Sequence, residues 1–181
     1  MSLKTRLFTL IIICMVGLPP AYLFLTEPGK RHKELVIAWL NKKETTSFDL
    51  SGLSQNLTPP QVTKNHSHLE WHCIKETSAY GDYLCDAPIA AYNGYPAYYM
   101  SWYFSDHKLI AVKILYRGDY HQAVINHLQT KFGPASPVAQ LIEQTPNATP
   151  ILEWQLNKGK VFINQSLQPQ DESALIWLTN S

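Results

Sequence analysis

The chain is short of charge. Only 16% of its 181 residues are Asp, Glu, Lys or Arg, and they leave a formal net charge of +1. A balance this near neutral, with no dense basic run, supplies no electrostatic footprint for nucleic acid and excludes that class of partner. Cysteine is equally scarce, at three residues. No C-x-x-C and no H-E-x-x-H pattern occurs, so neither ready-made metal motif is present. There is no G-x-S-x-G elbow and no Gly-rich phosphate loop, because "NKGK" (157–160) has the makeup of a hairpin turn. Of the carboxylates Glu70, Asp82, Asp86, Asp106 and Asp119, most stand beside turn residues, and Ser101 lies in a strand-like aromatic run. These gaps point away from an enzyme, a resident cofactor and a metal. Apolar residues nonetheless make up 45% of the chain and aromatics 12%, enough to build a core rather than a disordered tail.

One long run carries no charge at all. Lys4 and Arg6 precede Leu7–Leu25, "LFTLIIICMVGLPPAYLFL". As a helix, these residues reach roughly 28 Å, about the hydrocarbon thickness of a bilayer. Pro19 and Pro20 interrupt the run, which a membrane helix tolerates better than a soluble one. No A-x-A site follows, and Cys14 comes after Ile13 rather than after a small residue. The segment therefore reads as an uncleaved signal anchor marked by Leu7, Ile12, Pro19, Pro20 and Leu25. Lys30, Arg31 and Lys33 at its far end oppose Lys4 and Arg6, so the flanking charges do not fix the orientation.

The cysteines bear on that question. Cys73 and Cys85 are the two outside the apolar run. A bridge between them would close a short loop, worth about 3 kcal/mol, and would place the domain in an oxidising compartment. The expected setting is a single-pass protein of a bacterial inner membrane, with its C-terminal domain in the periplasm. Asn56, Asn65, Asn147 and Asn164 each begin an N-x-[ST] triplet, which keeps a type II protein of a eukaryotic secretory membrane as the alternative.

The pattern divides the chain into an anchor at 1–29, a juxtamembrane helix with a Pro/Ser/Thr-rich linker arm at 30–65, and an extracytoplasmic α+β domain at 66–181. The short helix spans about Arg31–Lys43. "PAYYMSWYF" and "KLIAVKILY" predict an antiparallel hairpin turning at "SDHK". Tyr98, Met100, Trp102 and Phe104 would share the buried face of its first strand, and Ile110, Val112, Ile114 and Tyr116 that of its second. A helix follows, capped by Asp119, with Tyr120, Val124, Ile125, Leu128 and Phe132 at helical spacing and Gly133-Pro134 as its stop. Residues 134–150 read as a loop. "ILEWQLNKGKVFINQSL" gives two strands about a turn at Gly159, and "SALIWLT" a last one. The order β-ββ-α-ββ-β predicts a two-layer sandwich, an antiparallel sheet covered by one main helix.

Two stretches carry candidate sites. "HSHLEWHC" (66–73) reads as the domain's first strand, with His66, His68, Glu70 and His72 on its wet face. His66 and His68 could reach one ion, but His72 lies roughly 13 Å beyond His68 along a strand. A solvent face is the leading reading, with a pH-sensitive surface or a metal-dependent enzyme behind it. The second stretch, from Tyr80 to Phe104, is rich in tyrosine. Tyr92, Tyr95, Tyr99 and Tyr103 are the candidate partner-binding residues, because exposed tyrosines supply contact area at low entropy cost. The function expected is an interaction domain, an accessory subunit or assembly factor whose partners are integral membrane subunits, with the bilayer engaged by the N-terminal helix. The alternative is an envelope module binding a glycan or peptide on its tyrosines.

Overall fold

A computed structural model describes residues 22, 25–40, 44–138 and 149–180. They fall into two units, one within Met1–Lys43 and one spanning Glu44–Ser181. The anchor residues Leu7, Ile12, Pro19 and Pro20 lie outside the described residues, as does Cys14, whereas Leu25 is exposed. Among the described residues no helix is long and apolar enough to cross a membrane.

In the first unit, helix α1 spans Glu27–Leu40, earlier than the pattern 31–43 implied. Pro28 stands in its first turn, where the missing N–H has no intrahelical partner to lose. Backbone bonds from Thr26 N to Tyr22 O (3.2 Å) and from Lys30 N to Thr26 O (2.9 Å) lead the chain into it.

The second unit is α+β, a mixed sheet with a few helices. Its strands are β1 (Thr45–Thr46), β2 (His72–Ser78), β3 (Gly81–Pro88), β4 (Ala91–Tyr92), β5 (Tyr95–Ser105), β6 (Lys108–Tyr116), β7 (Ser136–Val138), β8 (Ile151–Gln155), β9 (Gly159–Asn164) and β10 (Ala174–Thr179). They run in the order β1-β4-β5-β6-β10-β9-β8-β7, with β3 also pairing β5 and β2 pairing β3. Among the described residues only β1 and β4 pair in parallel. The helices are α2 (Pro59–Asn65) and α3 (His121–Phe132).

The compact unit begins at Glu44, so residues 44–65 belong to it and are not a loose arm. Leu50, Leu53 and Val62 are buried in its core cluster. Pro59 and Pro60, which suggest a breaker, instead open α2, and Thr58 N donates to Gln61 Oε1 at 2.9 Å as half of a capping box. The segment is sewn to the sheet by Ala90 N to Glu44 O (2.7 Å), Asn93 N to Thr46 O (3.0 Å) and Leu109 N to Gln55 O (3.1 Å).

The first strand also differs. Residues 66–68 form the turn that ends α2, and β2 starts only at His72. His66, His68, Glu70 and His72 therefore do not alternate along one strand. The core hairpin of β5 and β6 is as expected, but a register shift between Ala97 and Tyr99 turns Tyr98 outward, to 51% exposure, rather than into the core. A second shift beside Phe104 buries Leu109 fully and leaves Ile110 half-buried. Asp119 is not the cap of α3. It lies in a 3-10 turn, Gly118–Tyr120, 3.7 Å from Arg117, and α3 proper starts two residues later. Part of the expected loop at 134–150 is β7, which pairs with β8.

The β5–β6 turn carries a testable strain. Asp106 and His107 both have positive φ, 49° and 63°, as the common two-residue hairpin turn requires. A side chain in that region costs on the order of 1 kcal/mol, and glycine avoids the cost. His107→Gly is expected to raise the urea midpoint, by up to about 1 kcal/mol of stability. An unchanged or lower midpoint would mean that the turn stores no such strain.

Candidate interaction face

Strand register sorts the side chains of the sheet into two faces. On one face Cys73, Cys85, Trp102, Val112, Trp177, Val161 and Trp154 form a continuous row across β2, β3, β5, β6, β10, β9 and β8. A second row runs Ala87, Met100, Ile114, Leu175, Ile163 and Leu152. These residues share one core cluster with Leu50, Val62, Val124, Ile125 and Leu128, so α3, α2 and residues 44–58 cover this inner face. Cys73 and Cys85 stand directly opposite each other, with Cα atoms 4.1 Å apart, and form a disulfide.

The other face has a different fate. Its rows are Ile74, Leu84, Tyr103, Ala111, Leu178 and Lys160, then His72, Asp86, Ser101, Lys113, Ile176, Phe162 and Glu153, then Pro88, Tyr99, Leu115 and Ala174. None of these residues joins the core cluster. Leu84, Leu115, Phe162, Ile176 and Leu178 are each left part-exposed. An antiparallel sheet with one wet face normally shows polar residues there. Here Leu115, Ile176, Phe162 and Leu178 form an apolar group on β6, β10 and β9 beside Lys113, and several polar side chains pair with one another. Lys160 meets Glu153 at 3.0 Å, His72 meets Asp86 at 3.5 Å, and Lys113 pairs with Glu172.

The candidate tyrosines divide between the faces. Tyr92 is buried and donates from its hydroxyl to Phe48 O at 3.0 Å, and burial holds its pKa well above the ordinary value. Tyr95 lies against the His127 ring of α3 at 5.4 Å. Tyr99 is 47% exposed on the outer face. Tyr103 shares that face, packs on Tyr80 at 5.2 Å, and burial raises its pKa. The structure adds Phe162 and Ile176, paired across β9 and β10, to the outer face that carries Tyr99 and Tyr103. Their signal lay in "VFI" and "LIW", unbroken apolar runs of the kind found in strands covered on both sides.

Behind Tyr95, a crevice of about 20 Å³ opens among Ile114, Leu128 and Leu175. That is room for about one water molecule.

The histidines have structural surroundings. His66 Nδ1 lies 3.4 Å from Thr46 Oγ1, with Phe48 and Trp102 rings within 6.0 Å, and His68 Nε2 lies 3.1 Å from Thr45 O. Among the described residues no group of three or more His, Cys, Asp or Glu side chains could hold a metal ion. Burial, with His68 nearby, lowers the pKa of His66. Burial also lowers that of His121, whose Nδ1 lies 2.6 Å from the Tyr116 hydroxyl, although backbone at Gln165 and Asn164 pulls the other way. Both groups bind protons less readily when folded. Their stabilising effect is complete above the unfolded histidine pKa of about 6.5 and is lost as pH falls through the lower folded values. Urea midpoints are expected to drop between pH 7.5 and pH 5, and to drop less in His66→Gln. A midpoint independent of pH across that window would contradict the assignment.

Comparison with family models, with curated proteins and with solved structures finds no match to this chain, so function has to be read from the two-faced sheet itself.

Proposed function

We propose that this chain is a membrane-anchored extracytoplasmic interaction domain, an accessory subunit or assembly factor of a larger membrane complex. Its setting in this reading is a bacterial inner membrane, crossed once by the run at 7–25, with the Glu44–Ser181 unit in the periplasm. The fold then acts as a two-layer arrangement that buries one sheet face itself and offers the other to a protein partner. The observation that carries the reading is the outer face: Leu115, Phe162, Ile176 and Leu178 lie part-exposed where a solvated sheet would be polar, flanked by Tyr99 and Tyr103. An apolar group of this kind, bordered by tyrosines and beside a paired lysine, has the makeup of an interaction surface. The Cys73–Cys85 disulfide supports an oxidising compartment.

The experiment that tests the reading is purification of the chain from its own membranes in mild detergent. Stoichiometric membrane subunits should accompany the wild type and be lost from a Phe162→Ser/Ile176→Ser variant that still folds. The alternative, an envelope module that binds a glycan or peptide on its tyrosine-rich surface, predicts instead a chain that runs alone and binds cell-wall fragments saturably.

A further inference from the structure

We infer that α1 lies on the membrane surface, with its Lys33–Val36–Ile37–Leu40 face set into a bilayer containing anionic lipid. This rests on the anchoring part of the proposed function and adds a second lipid contact to it. Five of the eight exposed large apolar residues among the described ones, Tyr22, Leu25, Val36, Ile37 and Leu40, lie in this short stretch of the first unit. Positions 33, 36, 37 and 40 share one helix face. Val36, Ile37 and Leu40 are 53%, 47% and 65% exposed, whereas Ala38 on the opposite side is buried.

Two observations identify the cover as lipid. The apolar run at 7–25 immediately precedes this helix in sequence. Lys30 and Lys33 lie on or beside this stripe near the helix start, where a helix in the surface plane next to an apolar run would meet phosphate headgroups. The stem of Lys33 can lie along the apolar stripe while its ammonium reaches the headgroups. Apolar residues on one side and basic residues at its margin are the marks of a helix in the interfacial plane.

The test uses the full chain with Cys14→Ser and Ile37→Cys, its disulfide closed, labelled at position 37 with an environment-sensitive nitrobenzoxadiazole dye. It is reconstituted into phosphatidylcholine vesicles with and without phosphatidylglycerol, and a label at Ser51→Cys serves as the aqueous control. The expected result is a blue-shifted emission at position 37, extinguished by spin-labelled lipid and stronger with phosphatidylglycerol, while the control stays water-like. Lys30→Gln/Lys33→Gln should abolish the phosphatidylglycerol dependence. A chain that floats with the vesicles but leaves the label water-like overturns this inference and leaves the anchor intact. Protection that arises only in native membranes also overturns it, in favour of a protein cover. A chain that fails to float removes the anchoring reading and this inference together.

Discussion

Replacing both bridging cysteines, as Cys73→Ser with Cys85→Ala, is expected to lower the stability of the Glu44–Ser181 unit by about 3 kcal/mol. The bridge joins residues 12 apart in sequence, so its removal frees a short loop in the unfolded chain. The native side adds to the loss. Among the described residues β2 pairs only with β3, and apart from Cys73 all its residues are exposed. Little apolar burial holds this edge strand, so its place depends on ladder hydrogen bonds and the disulfide. Cys85 is fully buried beside Trp102, and a smaller residue there leaves a gap in the core. Urea unfolding of the wild type with and without reductant, set beside the double variant, measures the effect. Curves that coincide under all three conditions would mean the bridge contributes nothing.

The second large effect is a contrast between neighbours on β10. Trp177 and Ile176 are adjacent in sequence and point to opposite faces. Trp177 is fully buried in the row formed with Trp102 and Trp154, and Trp177→Ala is expected to cost about 3–5 kcal/mol. Ile176→Ser removes a part-exposed side chain from the outer face and should cost about 1 kcal/mol or less. Their functional order should be the reverse. Ile176→Ser, with Phe162→Ser opposite it on β9, should leave a folded protein that no longer holds its partner. Equal destabilisation by the two single changes would mean that both faces are covered within the chain.

Much of the core is legible in the sequence, and for local reasons. The β5–β6 hairpin announces itself through two β-rich runs about a short polar turn. The helix α3 does so through Val124, Ile125 and Leu128 and its Gly133 stop, whose φ is 85°. The disulfide follows from having only two cysteines outside the apolar run. Other features depend on context that no local pattern carries. Pro59-Pro60 looks the same as a breaker or a helix start, and the hydrogen bond from Thr58 N to Gln61 decides for the start. "HSHLEWHC" alternates like a strand, but α2 immediately before it uses residues 66–68 as its turn. Tyr98 changes side because a bulge inserts an extra residue, which alternation cannot foresee. The tyrosine band is not one surface for the same reason: Tyr92 and Tyr95 lie toward α3 and residues 44–58, whereas Tyr99 and Tyr103 face outward. The outer face itself is written in "VFI" and "LIW", and only the sheet order shows that, among the described residues of this unit, one side of those strands is left without a layer.

The most direct test of the interaction face is to isolate the wild-type chain and the Phe162→Ser/Ile176→Ser variant from their native membranes in mild detergent. Mass spectrometry then identifies and counts what co-migrates with each. Membrane subunits in fixed ratio are expected with the wild type, and a folded variant is expected to run without them. A wild-type chain that runs alone, or a variant that keeps the same companions, would contradict the assignment of this face to a partner.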